Sequence, residues 1–229
     1  YYNKKCENKA IEYFTKSANK NNHIAYCWLG IIYYNQKNIN KSIYYFLLSA
    51  NHNHYYAQFC LGIIYLMGEF VKKDIEKSVD YLKLSAKQHF PDALFCLGYI
   101  YENDYDIARD ISLAMSYYTE AANLNHSNAQ CALGLLFLNR NKVKEGIDYL
   151  NKSAEQKNNY ANFFLGLYYL KNGQIGPNIN LAEYYFTISA KQDNAYAQIF
   201  LDLFKYDDID INNLKKLAKQ ENHLASFFL

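Results

Sequence analysis

Glycine occurs nine times and proline twice in 229 residues, too rarely for a collagen-like or low-complexity chain. No apolar run approaches the roughly 18 residues that a membrane-crossing helix requires, so no span is expected in this segment. Arginine is nearly missing, with Arg109 and Arg140 the two in the chain, and 24 Lys plus Arg against 22 Asp plus Glu leave a net charge of +2. A nucleic-acid binder needs a basic excess and bidentate guanidinium contacts, so no nucleic-acid partner is expected. Cysteine is present but unpaired. Cys6, Cys27, Cys60, Cys96 and Cys131 are an odd number, widely spaced, with neither a C-x-x-C pair nor a Cys/His cluster. That spacing argues against structural zinc and a disulfide scaffold. Reduced, buried thiols are the expectation, which leans towards a cytoplasmic setting without fixing the compartment.

The chain is instead rich in aromatic residues, with 25 Tyr and 14 Phe, and these fall in a repeat. A Leu-Gly pair occurs at Leu29-Gly30, Leu61-Gly62, Leu97-Gly98, Leu133-Gly134 and Leu165-Gly166, with a degenerate Leu201-Asp202 after them. Four residues before each Leu stands Ala25, Ala57, Ala93, Ala129, Ala161 or Ala197. A second small pair follows at Ser17-Ala18, Ser49-Ala50, Ser85-Ala86, Ala121-Ala122, Ser153-Ala154 and Ser189-Ala190, with a tyrosine five residues before its alanine in every case. Self-similarity at a period of 32 or 36 residues is the mark of a repeat array.

Within a unit the spacing is helical. Ala57, Cys60, Leu61, Ile64 and Tyr65 lie at i, i+3, i+4, i+7 and i+8, and Tyr81, Leu82, Ser85 and Ala86 form a second such stripe. Each unit therefore reads as two antiparallel helices, A then B, with the small residues allowing close approach of their axes. Asn38, Asp74, Asp110 and Asn178 are placed to cap the start of helix B. Asn21, Asn53, Asn125 and Asp193 follow the end of helix B, where a left-handed residue stops the helix. The difference between long and short units falls in the A–B loop. The last unit, Ala197 to Ala225, is shortened and has lost its glycine.

The stretch Ala57-x3-Leu61-Gly62-x2-Tyr65-x2-Gly68-x2-Val71-x2-Asp74-x2-Lys77-Ser78-x2-Tyr81-x3-Ser85-Ala86 resembles the Sel-1-like repeat, a relative of the tetratricopeptide repeat. The resemblance implies an all-α, right-handed superhelix of antiparallel helix pairs. Residues 1–229 then form a single solenoid of about six pairs with cut half-repeats at both ends, and we expect a piece of a longer protein. It further implies a non-catalytic scaffold or adaptor for a protein or peptide partner. Such adaptors occur in endoplasmic-reticulum degradation, in host interaction by bacteria, and as arms joined to a kinase or other domain in one polypeptide.

Signals of catalysis are poor. Gly-x-Ser-x-Gly, His-Glu-x-x-His, P-loop and dinucleotide fingerprints are all missing from the sequence, so no enzyme, cofactor or metal is expected. The alternative implied by the resemblance is a secreted, cysteine-rich β-lactam-binding or β-lactam-hydrolysing enzyme. Ser17-x-x-Lys20 matches its motif formally, but Ser17 holds the repeated small-pair position of Ser49, Ser85, Ser153 and Ser189. All six histidines, His23, His52, His54, His89, His126 and His223, fall in the turn from helix B to the next helix A. A metal strip or pH sensor is outweighed there by polar turn residues suited to a helix C-terminus. Of the three glycosylation sequons, at Asn40, Asn125 and Asn151, the last lies inside an expected helix.

In stacked helix pairs the A helices line the concave face. By the same resemblance, the channel positions are two before the Leu, one after the Gly and one after the aromatic. The expected partner-binding residues on that face are Tyr56, Phe59, Ile63, Leu66, Phe95, Tyr99, Leu135, Leu138, Phe163, Leu167, Leu170 and Tyr196. Nearly all channel positions are apolar, as suits a groove for an extended or helical peptide. Eleven tyrosines, from Tyr1, Tyr33, Tyr65, Tyr101 and Tyr169 in A helices and the six in B helices, are expected to pack between helices.

Overall fold

The structure is a computed structural model and describes residues 4–103, 107–172 and 177–204. Among them are twelve helices and no strand. They form two compact units, residues 1–110 and 111–229. The first contains α1 (Lys4–Ala18), α2 (His23–Asn35), α3 (Ile39–Asn51), α4 (Tyr55–Met67), α5 (Ile75–Ala86) and α6 (Pro91–Glu102). The second contains α7 (Ile111–Asn123), α8 (Ser127–Asn139), α9 (Val143–Glu155), α10 (Asn159–Asn172), α11 (Ile179–Lys191) and α12 (Ala195–Phe204). In each unit A helices alternate with B helices, and sequence neighbours pack together. Of the shortened last unit, α12 is described, while the residues after Phe204, His223 among them, lie outside the described residues. No helix among those described is long and apolar enough to cross a membrane.

The repeat markers are the core. Ala25, Ala57, Ala93, Ala129, Ala161 and Ala197 are buried, as are Leu29, Leu61, Leu97, Leu133 and Leu165. In α2, α4, α8 and α10 the glycine after the leucine admits a large side chain from the facing B helix. A Cβ on Gly30 would stand 2.6 Å from the Phe46 ring, one on Gly62 2.7 Å from Leu82, and one on Gly166 2.7 Å from Phe186. In α8 and α9 the two backbones meet, because Gly134 and Gly146 each leave room for the other's carbonyl.

Aromatic stacking supplies a second contact in four of these pairs. Tyr33 lies on Tyr45 with centroids 5.5 Å apart and planes 5° from parallel, Tyr65 on Tyr81 at 6.0 Å and 6°, Phe137 on Tyr149 at 5.5 Å and 9°, and Tyr169 on Tyr185 at 5.5 Å and 2°. The helix A tyrosines of this set are thus packing residues, and the B helix tyrosines stacked on them are their partners. Tyr13 of α1, also expected to pack, is instead 67% exposed, and Tyr1 lies outside the described residues. Lys41, Lys77 and Lys142 place ammonium groups over the A-helix rings at 5.0, 5.4 and 5.8 Å, a cation–π contact on the face left open by the stack. The one tryptophan, Trp28, stacks on Phe14 at 6.0 Å and 10° but remains about half exposed.

Loop ends are clamped by one recurring bond. The backbone N–H of Asn38, Asp74, Asp110, Lys142 and Asn178 donates to the carbonyl of the A-helix aromatic Tyr33, Tyr65, Tyr101, Phe137 and Tyr169, respectively, at 2.8–3.0 Å. The expected side-chain caps follow from it: Asn38, Asp74 and Asn178 accept the N–H of Lys41, Lys77 and Leu181. At the other end of helix B, Asn21, Asn53, Asn125 and Asp193 all have φ near +60°, the left-handed stop that the sequence led us to expect. His89 and Lys157 take the same conformation at the same repeat position.

Candidate functional site

The serines of the small pairs have structural work. Ser49, Ser153 and Ser189 donate their hydroxyls to the carbonyls of His23, Ser127 and Asn159 at 2.7–2.8 Å, tying each B helix to the first residue of its own A helix. Ser17 accepts from the Asn22 side chain at 3.0 Å. This is the environment of a serine tied to its neighbouring turn.

The histidines require a correction. His54 and His126 serve the start of the following A helix, not the C-terminus of helix B: their Nδ1 atoms accept the N–H of Ala57 at 3.4 Å and of Ala129 at 3.1 Å. The reason is backbone geometry. Both residues are extended, which aims the side chain forward over the first turn. Asn22, Asn158 and Asn194 hold the same repeat position and cap in the same way. Among the described residues no group of three or more His, Cys, Asp or Glu could hold a metal ion.

Burial withdraws four of the five thiols, whereas Cys6 on α1 is exposed, against the expectation that all would be buried. Cys27 and Cys131 are buried, and burial pushes their pKa up to about 12. Cys96 is also raised to about 12, chiefly by burial, and Cys60 is raised by burial and then by the neighbouring Cys27. A protonated thiol is a poor nucleophile and a poor ligand.

One apolar cavity of about 340 Å3 opens in the first unit between α2 and α4. Ile31, Tyr34, Asn35 and Phe46 form one side, with Tyr56, Phe59, Cys60, Ile63 and Ile64 on the other. Tyr56, Phe59 and Ile63, all expected at the binding face, are half-buried and line it together. Phe59 and Tyr56 extend into an aromatic cluster with Phe90 at 5.1 and 5.9 Å. The Tyr56 phenol is held above its ordinary pKa, first by Cys60 and then by burial, so it stays a neutral donor. Exposed Phe70 meets Tyr34 edge-on at 6.2 Å, at the edge of the cavity.

The remaining expected residues are distributed differently. Leu66, Phe95 and Tyr99 are half-buried on α4 and α6. Leu135, Leu138 and Tyr196 are half-buried against the second unit's core. Phe163, Leu167 and Leu170 are buried within that core. At the position before the Leu, α4 differs from α10 and α12 in residue size. Phe164 and Phe200 occupy it in α10 and α12, and both pack into the core with Phe163. In α4 the same position is Cys60, whose small side chain leaves space beside Phe59 unfilled.

A set of part-buried amide bonds at the turns is not foreseen from the sequence. Gln88 Nε2 donates to Gln58 Oε1 at 2.8 Å and Gln156 Nε2 to Gln130 Oε1 at 2.6 Å, and Asn162 Nδ2 donates to Gln192 Oε1 at 3.2 Å. The only signal is that these residues recur one after the repeat alanine and two after the small pair.

The Sel1 repeat family model matches residues 7–22, 23–54, 56–90, 91–126, 127–158 and 159–194. The chain belongs to the Sel1 repeat family. Solved structures share its fold. A Sel1 repeat protein from Oxalobacter formigenes is 25% identical with a TM-score of 0.75, the match covering 96% of this chain and 93% of that one. A protective antigen of uropathogenic Escherichia coli with the same fold is 20% identical at a TM-score of 0.78, covering 95% of this chain and 54% of that one. This Sel1 chain thus spans about half the length of the antigen. An immunity protein of Pseudomonas aeruginosa aligns at a TM-score of 0.55, with 20% identity, covering 81% of this chain and 74% of that one. A search of curated proteins returns no match to the chain. The Sel1 architecture is an all-α solenoid, and Sel1 repeat proteins are generally protein-interaction scaffolds.

Proposed function

We propose that this Sel1 chain is a non-catalytic scaffold that captures an apolar segment of a protein partner in the α2–α4 groove of its first unit. The observation that carries the reading is the cavity lined by Tyr34, Tyr56, Phe59 and Ile63. Apolar walls supply the affinity on desolvation, while the two phenols and Asn35 offer the few directional contacts that orient a segment. Tyrosine suits such a surface because its large, stiff ring loses little conformational freedom on binding.

The reading is tested by filling or charging the groove without touching the repeat markers. Cys60→Phe installs the residue type that stands at the equivalent position in α10, and Phe59→Glu adds a charge to the wall. Both variants should keep the wild-type helical content and lose partner capture in quantitative pull-down. Tyr184→Glu, at an exposed position on α11, should capture normally. Undiminished capture by folded Cys60→Phe and Phe59→Glu would remove the groove from the account.

A further inference from the structure

We propose that His54 makes the start of α4 an acid-releasable junction, in which protonation of one imidazole undoes the cap over the helical turn that carries Tyr56 and Phe59. The inference concerns α4 itself and stands whether or not the groove binds a partner.

The cap needs a lone pair. His54 Nδ1 accepts the Ala57 N–H, so the ring must be neutral with its proton on Nε2. An imidazolium has two donors and no acceptor. Protonation would therefore oppose two N–H groups and set a positive charge at the positive end of the helix dipole.

The surroundings penalise that charge further. The His23 ring at the start of α2 lies 5.6 Å from His54, and the His52 ring at the end of α3 lies 6.2 Å from His23. Burial first, and His23 second, hold His54 below the ordinary histidine pKa. Other titratable groups in this corner are phenols, the thiols of Cys27 and Cys60, and a carboxylate. Tyr55 stacks on His54 at 5.4 Å and Tyr26 on His52 at 6.4 Å, while Asp92 of α6 lies close enough to act on the phenol of Tyr56.

The repeat supplies its own control. Asn22 occupies the same position one repeat earlier and accepts from Ile24 and Ala25 at 3.0 and 3.3 Å through an oxygen that does not titrate in this range. A histidine is thus not required to make the cap, but it makes a cap that pH can remove. Because the folded-state pKa is lowered, the cap's contribution is complete above the ordinary value of about 6.5 and is lost as pH falls through the folded value.

Amide exchange at Ala57 tests this in the intact chain, with His54→Asn as the non-titrating variant. Protection at Ala57, corrected for intrinsic rates, should fall about fivefold or more between about pH 7.5 and about pH 5 in the wild type. It should stay flat in His54→Asn. Nitrogen spectra of the histidines should show Nδ1 of His54 unprotonated at the higher pH. An equal fall in His54→Asn, or a proton on Nδ1 at the higher pH, would overturn the inference. A melting temperature for His54→Asn equal to the wild type at the higher pH confirms that the comparison is between two folded proteins.

Discussion

Gly134 and Gly146 face each other across the α8–α9 contact, each so close that a Cβ on either would meet the other's carbonyl oxygen, at 3.0 and 2.9 Å. At the Gly146 position the other B helices have Ala10, Ser42, Ser78, Ala114 and Ala182, so this pair, with glycine on both sides, has the least tolerance for a methyl group. Gly146→Ala should therefore destabilise the second unit by about 1–3 kcal/mol despite the better helix propensity of alanine. Urea denaturation followed by circular dichroism measures it, and a stabilised Gly146→Ala would show that the two backbones can part at little cost.

Two buried serines at one repeat position should behave oppositely. Ser42 donates its hydroxyl to the Gly30 carbonyl at 2.8 Å, whereas the Ser78 hydroxyl is buried with no partner. Removing a satisfied hydrogen bond costs about 0.5–1.5 kcal/mol, while removing an orphaned hydroxyl relieves desolvation. Ser42→Ala should lower the denaturation midpoint, and Ser78→Ala should leave it unchanged or raise it.

Lys157 adopts φ of +62° at an exposed turn. An L-residue with a Cβ is strained there by about 1 kcal/mol, and glycine is not. Lys157→Gly should stabilise the chain by up to about 1 kcal/mol in thermal or chemical unfolding, with Asn53→Gly giving less because asparagine already tolerates the conformation. A loss of stability in Lys157→Gly would mean that the lysine side chain makes contacts worth more than the strain.

The Tyr169–Tyr185 stack provides the cleanest measure of what the aromatic register contributes. Its rings are 2° from parallel at 5.5 Å, and burial raises the pKa of both phenols. A double-mutant cycle to leucine should return a coupling of about 0.5–1.5 kcal/mol beyond the apolar area of each ring. Coupling indistinguishable from zero would reduce the tyrosine pattern to simple bulk.

Much of this architecture was legible in the sequence because the repeat reports the same interaction several times over. The buried Ala and Leu rows, the left-handed Asn21, Asn53, Asn125 and Asp193, and the stacked tyrosines all follow from local geometry that recurs. His89 and Lys157 were missed at the left-handed position because nothing in their chemistry favours it, and the backbone imposes it on them. His54 and His126 were legible as polar turn residues but not as caps of the following helix, because a residue in a short turn is near both helix ends and only φ and ψ decide which end it serves. The binding face was legible as a set of positions but not as a surface. Whether Phe59 lines a cavity or Phe163 disappears into the core depends on the size of the side chain beside it, Cys60 in one case and Phe164 in the other.

The bond from the residue capping helix B to the carbonyl of the A-helix aromatic spans five residues at Tyr33–Asn38 and nine at Tyr65–Asp74. Both spans close with nearly the same geometry, so the chain between them is relieved of any duty to place the helices. That makes the A–B loop a port. Four residues have been added or removed there from one repeat to the next without altering the clamp, and foreign sequence grafted between Gly68 and Lys73 would inherit the same freedom. Each repeat can thus diversify that loop while the register of its two helices stays fixed.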